Sequence, residues 1–184
     1  MWNGRHVWFT VVLLTILALY GCGGKGISDE SIVIRQYKGL RVAENADVSV
    51  REFEDAIWEE LLSNCEMAEY PQAELESLMD EIETQYQYVA YYKDKTSSEL
   101  VEEIHGMTVE ELAKQQLMKE YAVLLIAENE GLDMTSKEYE DEIEKRANDN
   151  MIDVATYESM FGEEELKRIL LEERVLQFLK DNLK

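Results

Sequence analysis

Apolar residues recur at helical spacing through most of the chain. After Pro71 they stand three or four positions apart, which is typical of one face of an α-helix. The members of this stripe are Leu75, Leu78, Met79, Ile82, Tyr86 and Val89. Proline suits the first turn of a helix, where its missing N–H group has no partner to lose. The pattern therefore predicts a long helix from Pro71 to about Lys93.

Three tyrosines of this helix do not fall on its apolar stripe. At about 100° per residue, Tyr88, Tyr91 and Tyr92 project from the opposite side. Two interpretations stay open for them. In the first, they pack against the N-terminal segment or the last helix, as aromatic residues at helical spacing usually do. In the second, they contact a binding partner. On the second interpretation they are the candidate residues for contact with a client polypeptide.

Capping signals mark the starts of further helices. In a capping box, a serine or threonine is followed three residues later by glutamate, and both side chains accept hydrogen bonds from free backbone N–H groups. Such boxes begin at Ser49, Thr108 and Thr135. Ser98 is expected to cap a short helix that ends at Gly106. Asp153 is expected to cap a helix to Phe161, with a break at Gly162.

The apolar patterns of the later helices differ in width. The stretch YAVLLIA at 121–127 is apolar all the way round, so we expect it to be enclosed on every side. The helix after Thr135 has a narrow stripe, formed by Tyr139, Ile143, Ala147 and Met151. The last helix, from Glu163 to Leu183, has a broad apolar face that predicts contact with two neighbours.

These elements predict an all-α fold, an antiparallel helical array with long arm helices and short connections over residues 49–184. The segment SIVIRQYKGLRV at 31–42 has β character. We interpret it as a short extended N-terminal arm, pairing with a second short segment near Leu40–Val42. Residues 22–48 would then form a tether and this arm.

The first residues have the pattern of a cleaved signal peptide. Arg5 and His6 precede an apolar run at 7–20 that is shorter than the about 20 residues needed to cross a membrane. The sequence Leu19-Tyr20-Gly21-Cys22 that follows resembles a bacterial lipobox. The resemblance implies cleavage after residue 21 and a lipid on Cys22, which would anchor the protein at the outer face of the cell membrane. A plain signal peptide or a short anchor is the alternative.

The charge balance excludes several classes of partner. The chain has 40 acidic against 18 basic residues and a formal net charge of −22. Binding to nucleic acid requires basic surface that displaces counterions from phosphate, so no nucleic-acid partner is expected. Adsorption to anionic lipid is disfavoured for the same reason, so attachment to a membrane would require a covalent anchor. Acidic surface also keeps an exposed apolar groove soluble and favours basic clients.

Motifs for catalysis are missing from the sequence. It has no HExxH, CxxC, phosphate-binding loop or nucleophile elbow, and the acidic stretch at 148–153 lacks the central glycine of a calcium loop. Cys65 has no plausible base and is expected to be a buried or half-buried packing residue. We therefore expect no metal, no nucleotide, no other cofactor and no enzymatic activity.

Three stretches resemble the C-terminal helical domain of trigger factor. They are YPQAELESLMDEIETQY, HGMTVEELAKQQLMKEYAVLLIAENEGLDMTSKEYEDEIEKRA and FGEEELKRILLEERVLQFLKDN. The resemblance lies in Tyr70-Pro71 before a long arm helix, in Gly106 to Thr108 at the start of the second long helix, and in Leu125 to Leu132 at its end. Together with the upstream YKGLRV, it covers residues 37–184.

The sequence also departs from trigger factor. It has no ribosome-docking Gly-Phe-Arg-type signature, and the short distance between Asn64 and Tyr70 leaves no room for an FKBP-type prolyl isomerase domain. The resemblance therefore implies the chaperone cradle alone, a module shared with SurA-type exported chaperones. It implies an ATP-independent holdase for exported unfolded polypeptides. The alternatives are a structural or assembly lipoprotein that docks one membrane-side partner, and a degenerate foldase subunit that acts beside an intact isomerase.

Overall fold

The computed structural model describes residues 27–42 and 49–184 and has an all-α fold, as predicted. Its helices are α1 (Val50–Ser63), α2 (Gln72–Tyr92), α3 (Ser97–His105), α4 (Val109–Glu130), α5 (Ser136–Asp149), α6 (Val154–Phe161) and α7 (Glu163–Asp181). In these two ranges, three strands of two residues accompany the helices: β1 (Ile27–Ser28), β2 (Val33–Ile34) and β3 (Cys65–Glu66). The predicted signal peptide at 1–21 lies outside the described residues.

Local capping chemistry sets the helix starts. Complete boxes begin at Ser49, Thr108 and Thr135, and Asp153 caps α6, all as predicted. The predicted cap of α3 is wrong, because the N-cap is Thr96 and not Ser98. In the sequence TSSE, the glutamate stands three residues after the threonine, which is the spacing that a capping box requires.

The described part of the N-terminal segment, residues 27–42, packs into the core. The exposed fraction of Ile32, Ile34 and Leu40 is at most 1%, and these side chains share one cluster with residues of α1, α4 and α7. The strand β2 pairs antiparallel with β1 on one side and with β3 on the other. The predicted pairing with Leu40–Val42 is therefore wrong. The segment forms a short hairpin of β1 and β2, and its apolar side chains fill the space between α1, α4 and α7.

Tyr37 fastens this segment to the end of α4. Its hydroxyl donates a hydrogen bond to Glu130 Oε1 at 2.5 Å and accepts one from Asn129 Nδ2 at 2.8 Å. Lys38 pairs with the same Glu130 carboxylate at 2.8 Å. Burial, followed by the hydrogen bond to Glu130, raises the pKa of Tyr37 to about 12.

Stability should fall at alkaline pH in a way that depends on Tyr37. Its pKa is raised from 10.0 to about 12 in the folded state. The stabilisation from the neutral hydroxyl is therefore complete below pH 10 and is lost as the pH rises towards 12. Urea unfolding across this range should show a smaller loss of unfolding free energy for Tyr37→Phe than for the wild type. Equal losses in the two proteins would contradict this assignment.

Among the described residues, buried apolar side chains form three clusters, one at the centre of the fold and one in each of two arms. The central cluster joins the N-terminal segment, α1 and the C-terminal halves of α4 and α7. A second cluster joins α2 and α3 to the N-terminal half of α4, and we call this part the α2–α3 arm. A third joins α5 and α6 to the N-terminal half of α7, the α5–α6 arm. Because α4 and α7 each span two clusters, they connect both arms to the centre.

One member of the predicted α5 stripe does not pack. Tyr139, Ile143 and Ala147 are buried as predicted, but the side chain of Met151 is 93% exposed. The helix ends at Asp149, and Met151 adopts the left-handed conformation with φ 58° in the turn that follows. A residue with a Cβ atom is strained in this conformation.

Replacement of Met151 by glycine is expected to stabilise the protein by about 1 kcal/mol, because glycine adopts the left-handed conformation without strain. The side chain that is lost makes little contact, since it is almost fully exposed. Calorimetry should show a melting temperature higher by about 2–4 °C. In Met160→Gly, the matched exposed methionine lies inside α6, and glycine there should destabilise by about 1 kcal/mol. A fall in stability in both variants would refute the strain argument.

Candidate functional site: a groove between α2, α4 and α7

An open groove of about 800 Å³ lies between α2, α4 and the N-terminal half of α7. It lies within the size range of about 300–1,000 Å³ that is common for binding sites. The lining runs along α2 from Leu78 to Gln85 and along α4 from Gln116 to Leu124. On α7 it runs from Glu164 to Glu172. Each wall is therefore about 10–12 Å long at a rise of 1.5 Å per residue.

The bottom of the groove is apolar. Its aliphatic side chains come from all three helices: Leu78, Ile82, Val123, Leu124 and Leu171. Ile82 and Val123 are buried in the neighbouring clusters, whereas the side chain of Leu124 is 51% exposed. The prediction that YAVLLIA is enclosed on every side is therefore wrong at this residue. Neighbouring helices cover most sides of α4 here, but the side on which Leu124 lies is open to solvent.

The rim of the groove is charged, and each of its three basic side chains has an acidic partner. Lys119 pairs with Glu172 at 2.5 Å and lies 4.3 Å above the centre of the Trp58 ring. Arg168 pairs with Glu165 at 2.6 Å. The hydrogen bond to Glu165 raises the pKa of Arg168 despite its partial burial. These partners hold the two cations at fixed places on the rim.

The third cation of the rim is Lys167, at the start of α7. It pairs with Glu163 at 2.7 Å and with Glu164 at 3.2 Å, and these hydrogen bonds raise its pKa. All three positive charges of the groove are therefore neutralised within the protein itself.

Two acidic side chains of the rim have no such partner. Across residues 27–42 and 49–184, no cation lies within ion-pair distance of Glu81 or Glu120. Glu81 accepts only a long hydrogen bond of 3.4 Å from the Gln85 side chain. With five glutamates and three cations in its lining, the groove has a formal charge of −2. It therefore presents apolar side chains bordered by charged ones, with a small excess of negative charge.

The three candidate tyrosines lie at the end of α2 and are exposed. The exposed fractions of Tyr88, Tyr91 and Tyr92 are 71%, 77% and 69%. Their rings contact one another edge to face, with centroids 4.9 Å apart for Tyr88 and Tyr92 and 5.5 Å apart for Tyr91 and Tyr92. Within residues 27–42 and 49–184, they therefore do not pack against the N-terminal segment or the last helix. Tyrosine offers large contact area and a polar hydroxyl, which suits an exposed binding surface.

Two of the tyrosines lie in line with the residues of α2 that line the groove. Along α2, Glu81, Gln85, Tyr88 and Tyr92 are separated by four, three and four residues, so they form one row on the helix. Tyr91 lies about 100° away from Tyr92 around the helix axis. The row formed by Tyr88 and Tyr92 extends the groove wall by about 10 Å beyond Gln85. The groove and these two side chains together form what we call the extended groove.

The sequence did not reveal Leu124, Glu81 or Glu120 as site residues. The sequence signal that could have indicated Leu124 is the apolar run at 121–127. A helix that is apolar on every side exposes an apolar side chain wherever no other helix packs against it. No such signal exists for the two glutamates. Only the positions of the surrounding cations distinguish them from the many other acidic residues.

Cys65 is half-buried, as expected. Its thiol lies 3.4 Å from the backbone oxygen of Leu61, and burial raises its pKa to about 12. The thiolate, which is the nucleophilic form, is therefore scarce at neutral pH. This places Cys65 among packing residues.

No described helix is long and apolar enough to span a bilayer. Within the part of the chain that the structure covers, no group of three or more His, Cys, Asp or Glu side chains is arranged to hold a metal ion. The predicted lipid-attachment residue, Cys22, lies outside the described residues. Comparison with known protein-family models and with curated protein sequences finds no match.

Proposed function

We propose that this protein is an ATP-independent holdase, anchored through a lipid on Cys22 at the outer face of the bacterial cell membrane. It binds apolar segments of exported, unfolded polypeptides. The observation that supports this proposal best is the extended groove, in which Leu124, Tyr88 and Tyr92 expose apolar surface beside a charged rim. The resemblance to the trigger factor helical domain supports the same function.

The groove suits weak and repeated binding. Its apolar bottom provides area that an unfolded segment covers on binding, at roughly 25 cal/mol per Å². Exposed aliphatic and aromatic side chains accept many sequences, because their contacts do not require a specific hydrogen-bond pattern. The acidic rim and a net charge of −22 keep this surface soluble while it is empty. The expected result is transient protection of unfolded chains without nucleotide.

The test is suppression of aggregation of several unrelated unfolded proteins by the mature protein, measured by light scattering without nucleotide. Broad suppression at near-stoichiometric ratios is the expected outcome. Inactivity towards all clients, together with one tight partner from a membrane-side pull-down, would support the docking lipoprotein instead. A prolyl isomerase assay is expected to show no activity, and activity there would contradict the non-catalytic assignment.

A further inference from the structure

The walls of the groove offer little backbone for an incoming chain to pair with. Except in the first turn of α7, the lining residues lie inside helices, where backbone N–H and C=O groups bond to one another. None of the three short strands contributes to the lining. An extended segment lying in this open groove would leave the backbone groups that face its helical walls without partners, which is unfavourable. A helix satisfies these groups internally.

The dimensions match a helix of about four turns. The α2 side of the extended groove runs from Leu78 to Tyr92, a rise of about 21 Å, which corresponds to about 14 helical residues. The α4 and α7 walls, about 12 Å long, accompany the first part of this length, and beyond Gln85 only the α2 row continues. The apolar side chains along this length come from the groove bottom and from the two tyrosines. An amphipathic helix buries its apolar stripe in such a groove through residues at i, i+3, i+4 and i+7.

The charges indicate what borders that apolar stripe. Glu81 on α2 and Glu120 on α4 stand on two neighbouring walls. Neither has a cation within ion-pair distance in the described ranges, although Arg168 attracts Glu120 from farther away. The rim cations Lys119, Lys167 and Arg168 are already neutralised. Lysine or arginine on either border of an incoming stripe would therefore complete the pairing, whereas acidic residues there would be repelled.

From these observations we infer that the extended groove binds one amphipathic α-helix of its client, about 14 residues long, with basic residues along the borders of its apolar stripe. The client segment forms this helix on the surface of the protein. The bound helix then packs beside α2, α4 and α7, where the protein has no helix of its own. This inference rests on the proposed holdase function and specifies the class of segment that it recognises.

The first test uses fluorescein-labelled 14-residue peptides and the mature protein, with anisotropy as the measurement. The reference peptide has leucines at i, i+3, i+4 and i+7, lysines on the borders, and a lactam bridge that holds the helix. The same composition with a central proline should bind at least about tenfold more weakly, because proline breaks the helix. A version with glutamate in place of lysine should also bind more weakly. Equal affinity of the helical and proline peptides would overturn the inference.

The second test addresses the two unpaired glutamates. Glu81→Gln combined with Glu120→Gln should weaken binding of the reference peptide roughly fivefold at low salt. The matched control is Glu128→Gln with Glu140→Gln, which removes the same charge at exposed positions outside the groove lining. Control binding should stay within about twofold of the wild type. Equal losses in the two double variants would show that only overall charge matters.

The outcomes separate this inference from the holdase proposal. If the protein suppresses aggregation of unfolded proteins but does not prefer helical peptides, the holdase function stands and the helix inference fails. If it binds the helical peptide but protects no unfolded protein, the groove is a docking site for one helical partner. If it does neither, both proposals fail.

Discussion

Replacement of Ile34 by alanine is expected to lower the free energy of unfolding by about 3 kcal/mol. Ile34 is fully buried in the central cluster, where the N-terminal segment meets α1, α4 and α7. Removing its side-chain carbons leaves a cavity that the surrounding helices fill only partly. The melting temperature should fall by roughly 6–12 °C, as measured by calorimetry or circular dichroism.

The neighbouring residue on β2 provides the control. The side chain of Val33 is 46% exposed and points away from the core, although its backbone belongs to the same strand. Val33→Ala should therefore change the unfolding free energy by less than about 0.5 kcal/mol. Similar losses in Val33→Ala and Ile34→Ala would mean that strand pairing, and not side-chain burial, holds this segment in place.

The largest functional effect is expected from removing the apolar surface of the extended groove. The triple variant Leu124→Gln, Tyr88→Ser, Tyr92→Ser should weaken binding of an unfolded client by about 2 kcal/mol or more, roughly 30-fold. All three side chains are at least half exposed, so the melting temperature should change little. Binding is measured by anisotropy with a labelled, permanently unfolded client.

A variant with equal loss of exposed apolar surface elsewhere is the control. Ile104, Met151 and Met160 are exposed by 54%, 93% and 64% and lie outside the groove lining. Their combined replacement by glutamine should leave client affinity unchanged within about twofold. Equal weakening by the two triple variants would indicate binding by general surface hydrophobicity.

Tyr91→Ser should have a smaller effect than Tyr92→Ser, because Tyr91 lies off the groove row.

Local sequence signals predicted most of the helix boundaries. The boxes at Ser49, Thr108 and Thr135 are confirmed because a cap depends on residues only three positions apart. At α3 the cap is Thr96 and not Ser98, because only Thr96 has a glutamate, Glu99, at the required spacing. The apolar stripe of α2 also predicted correctly that the three tyrosines face away from the core.

Features that depend on distant parts of the chain were not predictable from periodicity. The partner of β2 is β3, which follows α1, so the pairing near Leu40 that local sequence favoured does not form. The exposure of Leu124 depends on where α7 packs, about 40 residues later along the chain. Glu81 and Glu120 are distinguished only because the rim cations pair with other glutamates. The apolar periodicity of a helix does not predict such pairing.

The assignments that concern the N-terminus remain predictions. Lipid attachment at Cys22 and cleavage after residue 21 rest on the lipobox resemblance. Mass spectrometry of the protein from membranes should show a diacylglyceryl group on an N-terminal Cys22. An intact N-terminus in the membrane fraction would contradict the lipoprotein assignment and leave the groove proposal unaffected.

NMR mapping of the contact surface tests most directly whether the groove binds clients. An unfolded client is added to the isotope-labelled mature protein. We predict that amide shifts concentrate along the extended groove, at 78–92 on α2, 116–124 on α4 and 164–172 on α7. Residues of α1 and the N-terminal segment should not change. No shifts at saturating client, or shifts confined to a surface away from the groove, would contradict the central claim that this groove receives client polypeptides.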